Sequence, residues 1–261
     1  MDKTTIPGLA LSIFMLLFGQ YLEGGHAGSL VQLTAFLIVI GGTFGAVLIS
    51  YPLDEAIDGF KALKIAITEK KSDVAPLMAQ LVELATVARR DGVLALESKL
   101  GEVKDPFLKR SLGFLVDGVE ASVARATLEQ EIEVEAEEAG VSAKFWADFG
   151  ALCPTIGVLG AVFGLIHVME NLDDPSKLGP GIAVAFVATV YGVGFSNMWC
   201  LPVSNKLKRR AALEKERKTL ICEGVLSIQE GLNPRILEEK LKSYAGKHGA
   251  HHKPAGGGEK K

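Results

Sequence analysis

Two long apolar stretches, residues 149–169 and 181–203, constrain the fold of this chain more than any other feature of its sequence. Each is long enough to cross a hydrocarbon core about 30 Å thick as an α-helix that rises about 1.5 Å per residue. Neither contains Asp, Glu, Lys or Arg, and a short polar link at residues 170–180 joins them. The two stretches therefore predict a transmembrane helical hairpin.

The hairpin contains residues that are unusual in a lipid-facing helix. Pro154 lacks the N–H that would bond the carbonyl of Gly150, so we expect that oxygen to need water, an ion or a partner helix. Close helix packing accounts for the glycines, but less well for Pro154 together with Thr155 and Thr189, which suggest a polar pathway. Small or hydroxyl residues recur at helical spacing on the two spans: Gly157, Ala161 and Gly164, then Ala185, Thr189, Gly192 and Ser196.

Two further apolar stretches lie near the N-terminus, at residues 6–21 and 30–52. A signal peptide is the competing interpretation of the first, but residues 1–3 carry no net positive excess, no cleavage site follows, and a second span comes soon after. We therefore predict an all-α integral membrane protein with four transmembrane helices and a large helical cytoplasmic domain between helices 2 and 3.

We divide the chain into five segments on this basis. They are transmembrane helices 1 and 2 (1–52), a cytoplasmic helical domain (53–148), transmembrane helices 3 and 4 (149–203), cytoplasmic C-terminal helices (204–245) and a disordered tail (246–261).

Lys and Arg are distributed unevenly among the connecting segments. The two short links hold one of the 28 basic residues, residues 51–145 hold twelve, and the part after residue 204 holds fourteen. Because cytoplasmic loops carry the excess of basic residues, we expect both termini and the long middle segment to be cytoplasmic. The net charge of −3 gives no reason to expect nucleic-acid binding.

The long middle segment has the pattern of helices throughout. Asp73 with Pro76 opens one helix and Asp105-Pro106 opens a second, because Asp caps a helix N-terminus and Pro fits its first turn. A third helix, residues 120–148, is expected to run directly into the third span. Six glutamates between positions 129 and 138 form either a solvated face or a cation-attracting mouth of the spans.

The C-terminal part continues as helix. Apolar periodicity after the fourth span extends to about residue 231, and Asn233-Pro234 then breaks it before a last short helix. The histidines at positions 248, 251 and 252 lie in a stretch rich in Gly and Lys, which favours a flexible basic tail over a metal site.

No motif of an enzyme is present, because the chain lacks a phosphate-binding loop, a nucleotide fingerprint and a catalytic triad. Cys153, Cys200 and Cys222 have no paired spacing, so we expect reduced thiols without a metal or disulfide role. The four spans also lack carboxylates, and His167 lies near the outer end of its span. Because ion carriers usually keep an acid at membrane depth, an ion pathway here needs a charged group from another chain, which predicts a complex.

Taken in order, these features resemble the A subunits of bacterial flagellar motor stators, the MotA/PomA family. The resemblance covers nearly the whole chain except the tail. Its most specific local match is Ala88-Arg89-Arg90-Asp91-Gly92-Val93-Leu94-Ala95-Leu96-Glu97. The other shared features are the four-span layout, the large loop, Pro154-Thr-Ile-Gly-x-x-Gly, the membrane proline Pro202 and Asn233-Pro234-Arg235.

The resemblance implies a homo-pentamer in the bacterial inner membrane around a dimer of a MotB-type B subunit, which supplies the ion-binding aspartate. Such a complex converts proton motive force into torque on a rotor switch protein of the FliG type. Its partners would include membrane lipid but no nucleic acid, and no cofactor is implied. By motif position, the match assigns rotor binding to Arg89, Arg90 and Glu97; capping and solubility are the alternative role for these three.

The resemblance assigns the ion pathway to Pro154, Thr155, Ala161 and Thr189. Pro154 and Pro202 each remove one backbone hydrogen bond, so they predict helix hinges or, alternatively, packing kinks with no moving part. Sodium-driven members resemble one another in carrying a threonine at the position of Ala161 and another at that of Thr189. Because Na⁺ needs several oxygen ligands, Ala161 favours protons as the transported ion, while Thr155 and Thr189 leave a sodium-driven stator as the alternative.

Two other functions compete with this interpretation. A TolQ/ExbB-like subunit would energise outer-membrane processes, but such proteins typically have three spans, and this chain has two spans near its N-terminus and the Arg89 to Glu97 motif. A structural membrane scaffold with no ion flow is the alternative from a different class.

Overall fold

The computed structural model describes residues 4–68 and 74–249, and helices account for nearly all of this part of the chain. Its contacts divide the chain into two compact units. We call residues 1–70 with 138–210 the spanning unit, and residues 71–137 with 211–261 the polar unit. No strand occurs among the described residues, which confirms the predicted all-α class.

The spanning unit begins with α1 (Thr5–Leu22), which has no buried residue, and a 3₁₀ turn follows it. The second span is one run of helix in three parts, and α4 (Leu53–Ile67) starts three residues after it ends. The sequence reasoning did not single out α4 as a helix of its own. The three parts of the second span are α2 (Leu33–Phe36), a π-turn (Leu37–Gly41) and α3 (Gly42–Ser50).

The third and fourth spans belong to much longer helices. The third lies within α7 (Ala121–Glu170), an unbroken helix of 50 residues, which confirms the predicted run from the third loop helix into the membrane. The fourth comprises α8 (Pro175–Phe195), a π-turn (Ser196–Cys200) and the start of α9 (Leu201–Gln229). Four stretches of the described chain are long and apolar enough to cross a membrane, and they coincide with the four predicted spans.

The polar unit contains α5 (Val74–Asp91), α6 (Pro106–Val116) and α10 (Pro234–Gly249). Asp105 caps α6 as predicted, because its carboxylate accepts a hydrogen bond of 2.9 Å from the backbone N–H of Leu108. Asp73 lies outside the described residues. Helix α10 ends at Gly249, inside the stretch for which the sequence predicts disorder, and the rest of that stretch is likewise outside the described residues.

A leucine-rich core holds the polar unit together. Its fully buried side chains come from α5, α6, α9, α10, the N-terminal part of α7 and the 3₁₀ helix Val93–Lys99, and truncating any one of them would cost about 2 to 5 kcal/mol. Gly224 of α9 brings two helices into contact, since an added Cβ there would lie 2.8 Å from Cδ1 of Leu81. The largest of its fully buried side chains are Leu81, Leu96, Leu108, Leu112, Leu128, Ile221, Leu226, Leu237 and Leu241.

The predicted acidic run on α7 is partly neutralised within the polar unit. Three of its glutamates pair with residues elsewhere in the unit, Glu131 with Arg110, Glu133 with Lys215 and Glu135 with Lys218. Lys218 is only 8% exposed, and its Nζ lies 5.0 Å from the ring centroid of Phe107. The Glu135 carboxylate and the aromatic ring therefore both stabilise its positive charge. This part of the run is therefore a structural ion-pair surface, while Glu129 pairs with Arg125 on the same helix.

Aromatic side chains join α4 to α7 in the spanning unit. The indole N–H of Trp146 donates a hydrogen bond of 2.8 Å to the carbonyl of Gly59. A Cβ at Gly59 would lie 2.7 Å from the ring of Phe145, so only glycine allows α4 to approach so closely. The Tyr51 hydroxyl, between α3 and α4, donates a 2.6 Å hydrogen bond to the carboxylate of Asp148.

Candidate ion pathway

The third and fourth spans pack backbone to backbone. A Cβ added at Gly157 would lie 3.0 Å from the carbonyl oxygen of Ala188, and one at Gly164 would lie 2.7 Å from the backbone nitrogen of Ala185. On the opposite helix, a Cβ at Gly192 would lie 2.7 Å from the carbonyl oxygen of Cys153. Three glycines that the sequence placed on the stripes therefore lie in the contact between the spans.

Thr155, Ala161 and Thr189 are more open than these glycines. Thr155 is exposed, and Ala161 and Thr189 are half-buried. A Cβ added at Gly160 would lie 2.9 Å from the Cβ of Ala188. Ala188 directly precedes Thr189 in the sequence. The two threonines thus lie beside the glycine contact, where another chain could reach them.

Both threonine hydroxyls donate to carbonyls of their own helix. Thr155 Oγ1 lies 2.7 Å from the Leu152 oxygen, and Thr189 Oγ1 lies 3.3 Å from the Ala185 oxygen. Because a hydroxyl oxygen keeps two lone pairs when it donates, each threonine can still accept a hydrogen bond or coordinate a cation. Ala161 has no such group, so the described site offers two side-chain hydroxyls at the predicted positions.

The carbonyl released by Pro154 has found a partner on the neighbouring helix. Ser196 Oγ donates a hydrogen bond of 2.6 Å to the Gly150 oxygen, and the bond is buried. The sequence predicts water, an ion or a partner helix as the partner of this oxygen, and within this chain the partner is a neighbouring helix. Pro154 itself is half-buried, and the Cα of Pro154 would lie 3.2 Å from a Cβ at Gly192.

Pro202 is in a different setting. Its side chain is exposed, and it is the second residue of α9, immediately after the π-turn Ser196–Cys200. Its missing N–H therefore falls where the helix already departs from the regular α-helical bond pattern. The structure describes one arrangement of each proline, and their role as hinges stays a prediction.

No carboxylate lies between Phe149 and Met169 or between Gly181 and Val203. The nearest acids are Asp148 and Glu170, at the two ends of the third span, and Asp148 is bonded to Tyr51. His167 is exposed near the C-terminal end of this span. The described hairpin therefore has polar oxygens but no internal group that would carry a negative charge.

Arg89, Arg90 and Glu97 are all exposed at one corner of the polar unit. The two arginines lie in the last turn of α5, Glu97 lies on the 3₁₀ helix Val93–Lys99, and Gly92 with φ +86° makes the turn between the two helices. Arg90 pairs with its neighbour Asp91 at 2.7 Å, which lowers the pKa of the Asp91 carboxyl, yet the Arg90 side chain is 76% exposed. Arg89 and Glu97 have no ion-pair partner among the described residues.

Sequence reasoning missed the tyrosine that fixes the start of the second span. The Tyr191 hydroxyl of α8 donates to the Leu30 oxygen at 2.5 Å and accepts the backbone N–H of Gln32 at 3.1 Å. A single tyrosine in an apolar span was the available signal, because a buried phenol normally finds a hydrogen-bond partner.

Two family models match consecutive parts of this chain. One is described as "Motility protein A N-terminal" and matches residues 6–92, and the other is described as "MotA/TolQ/ExbB proton channel family" and matches residues 99–219. "Motility protein A" of Bacillus subtilis (strain 168) is 37% identical, covering 94% of this chain and 91% of its own. The chain belongs to the motility protein A family.

Other members of the family agree with this assignment along nearly the full length. "Chemotaxis protein PomA" of Vibrio alginolyticus is 36% identical over 94% of this chain and 95% of its own length. The solved structure of C. jejuni MotAB matches with a TM-score of 0.89 at 36% identity, covering 94% of this chain and 96% of that one. The flagellar MotAB stator complex from Bacillus subtilis matches with a TM-score of 0.87 at 35% identity, covering 97% and 100%.

Family membership decides the class of the protein. Members are ion-channel components and not enzymes, and this chain is a multi-pass protein of the bacterial inner membrane. It has the fold of the motility protein A subunits in the solved MotAB complexes.

Proposed function

We propose that this chain is the A subunit of a flagellar stator, which forms an ion channel with a B subunit and converts proton motive force into torque on the rotor switch protein. One observation carries the proposal. The third and fourth spans of this chain pack backbone to backbone at glycines and carry threonine hydroxyls beside that contact, yet they contain no carboxylate.

The missing acid supports a partner chain. Proton or cation transfer through a membrane needs a group that changes charge, and such groups are usually acids at membrane depth. The solved structures that this chain matches are MotAB complexes, which supports a MotB-type B subunit as the donor of that aspartate. Five copies of this chain around a B-subunit dimer would place five copies of Thr155 and Thr189 around the acid.

The exposed apolar surface of the spans fits such an assembly. Helix α1 buries no residue within the chain, and it would contact neighbouring copies or lipid. The uneven distribution of Lys and Arg supports both termini on the cytoplasmic side. The corner that carries Arg89, Arg90 and Glu97 would then face the cytoplasm, where a FliG-type rotor protein is found.

Protons fit the described pathway better than sodium. A sodium ion needs several oxygen ligands when it leaves water, whereas a protonated carboxyl carries its own proton and needs only hydrogen-bond partners. The pathway offers the hydroxyls of Thr155 and Thr189 and has a methyl group at Ala161. A sodium-driven stator is the alternative that these two hydroxyls support.

A TolQ/ExbB-like role is the second candidate, because residues 99–219 match the model that these proteins share with stator subunits. The match of residues 6–92 to the motility protein A N-terminal model favours the stator, since it covers the two N-terminal spans and the Arg89 and Arg90 pair.

Reconstitution and motility together test the proposal. We expect proteoliposomes that hold this chain with its B subunit to take up protons under an inward gradient, while liposomes with this chain alone stay tight. Expression of this chain in a strain that lacks its own copy should restore swimming. Proton uptake without motility would favour the TolQ/ExbB-like role, and neither activity would favour a scaffold.

A further inference from the structure

A single buried hydroxyl compensates for the proline in the third span. In a regular helix, the Gly150 oxygen would accept the N–H of residue 154, but that residue is Pro154. The proline ring also pushes this carbonyl away from the helix axis. Ser196, only 1% exposed, donates its hydroxyl proton to the displaced oxygen at 2.6 Å.

Ser196 opens the π-turn of the fourth span, which ends at Cys200. A π-turn has i→i+5 hydrogen bonds in place of the i→i+4 bonds of an α-helix. Ser196 and Cys200 are both buried against the Gly150 turn, and a Cβ at Gly150 would lie 3.3 Å from the Cys200 Cβ and 2.8 Å from Cδ2 of Leu201. The irregular turn of one helix is therefore matched to the proline turn of the other.

A second buried serine provides a comparison within the same helix pair. Ser204 of α9 donates a 2.7 Å hydrogen bond to the Ala143 oxygen of α7. Residue 147 is an alanine with its own N–H, so the Ala143 oxygen keeps an intrahelical donor when the serine is removed. Position 154 offers the Gly150 oxygen no such N–H, and the Ser196 hydroxyl is the donor that replaces it.

We propose that Ser196 is a positioning residue for the ion pathway, and that its hydroxyl holds the Pro154 turn of α7 in register with the π-turn of the fourth span. Thr155 follows Pro154 directly, and Thr189 lies seven residues before Ser196. The bond therefore sets how the two threonines are placed relative to each other. Any bending of α7 at Pro154 must move or break this bond. The ion part of this proposal rests on the proposed function above.

Variants of the full chain, purified with its B subunit, separate this role from ordinary packing. We expect Ser196→Ala to lower proton flux roughly tenfold, about the factor that one unsatisfied buried acceptor carries, and to lower the melting temperature. Ser204→Ala is the matched control and should change both much less. Ser196→Thr keeps the hydroxyl and should recover most of the flux.

A double substitution gives the decisive measurement. Pro154→Ala restores the N–H to the helix, so the Gly150 oxygen regains an internal donor. We therefore expect Ser196→Ala to lower the melting temperature of the native complex but to have little further effect in the Pro154→Ala background. Equal losses in the two backgrounds, or equal effects of Ser196→Ala and Ser204→Ala, would overturn the proposal.

The melting measurement needs no ion flow, so it tests the hydrogen bond independently of the proposed function. If the native complex conducts no protons, the proposed function fails, and the melting cycle still tests the hydrogen bond. If the melting cycle behaves as expected but Ser196→Ala conducts at the native rate, the bond is structural and the positioning role is refuted.

Discussion

At the residue scale, the exposed cluster of Arg89, Arg90 and Glu97 depends on charge and not on packing. We expect Arg90→Glu to impair swimming strongly while the complex still assembles, because a side chain that is 76% exposed contributes little to folding. Swimming speed and the amount of membrane complex are the measurements. Lys242→Glu is a matched control, since Lys242 is also exposed and ion-paired, with Glu238. Normal swimming after charge reversal at all three positions would contradict the assignment.

Asp105 is a residue whose charge does matter for folding. Burial alone would raise the pKa of its carboxyl, but the Leu108 N–H and the Arg217 guanidinium outweigh burial and hold the pKa below its ordinary value. A lowered folded-state pKa stabilises the fold above the ordinary range of Asp, about pH 4, and that contribution disappears as the pH falls through the folded-state value.

We therefore expect Asp105→Ala to lower the free energy of unfolding by about 1 to 2 kcal/mol at pH 7, with a smaller difference at about pH 3. Thermal unfolding of the purified protein followed by helical circular dichroism checks both values. Asp58→Ala removes an exposed ion pair with Lys61 and should change stability little. A loss that stays the same in acid would show that Asp105 acts through shape alone.

At the element scale, the contact between the third and fourth spans depends on the absence of side-chain atoms. A methyl group at position 192 would meet the Cys153 oxygen at 2.7 Å, which is backbone and cannot move aside. We expect Gly192→Ala to destabilise the complex by about 1 to 3 kcal/mol, as overpacking usually does. Gly194→Ala on the same helix is the control, since its Cβ would lie 3.5 Å from the end of Met198. Comparable melting temperatures for the two variants would refute this account.

The elements also illustrate what sequence reasoning can and cannot reach. Helix starts at Asp105-Pro106 and Asn233-Pro234 and the continuous α7 follow from capping, proline geometry and periodicity, all of which are local. The partner of the Gly150 oxygen depends on the π-turn at Ser196–Cys200, which changes the register between two helices. Such a change has no local signature, so the sequence predicted the need for a partner but not that Ser196 fills it. The ion pairs of Glu131, Glu133 and Glu135 were not predictable either, because their partners are distant in the sequence.

At the scale of the whole molecule, the alanine at position 161 of the ion pathway predicts which ion drives the assembly. We expect cells that swim on this chain and its B subunit to keep their speed when sodium is replaced by potassium, and to stop when a protonophore is added. The reason is that Ala161 removes one oxygen from the set that a dehydrated sodium ion would require. Ala161→Thr, which adds a hydroxyl, is the informative variant. Speed that follows the sodium concentration in the native protein would establish the sodium-driven alternative.

The cysteines of the chain are all inside it. Cys153, Cys200 and Cys222 are buried free thiols, and burial raises the pKa of Cys222 to about 11, so this thiol is almost entirely uncharged at neutral pH. A maleimide dye added to the intact protein should leave them untouched. A cysteine introduced at Lys242, which is exposed and lies outside the proposed ion pathway and rotor site, would then be the one that takes up the dye, without first preparing a cysteine-free background.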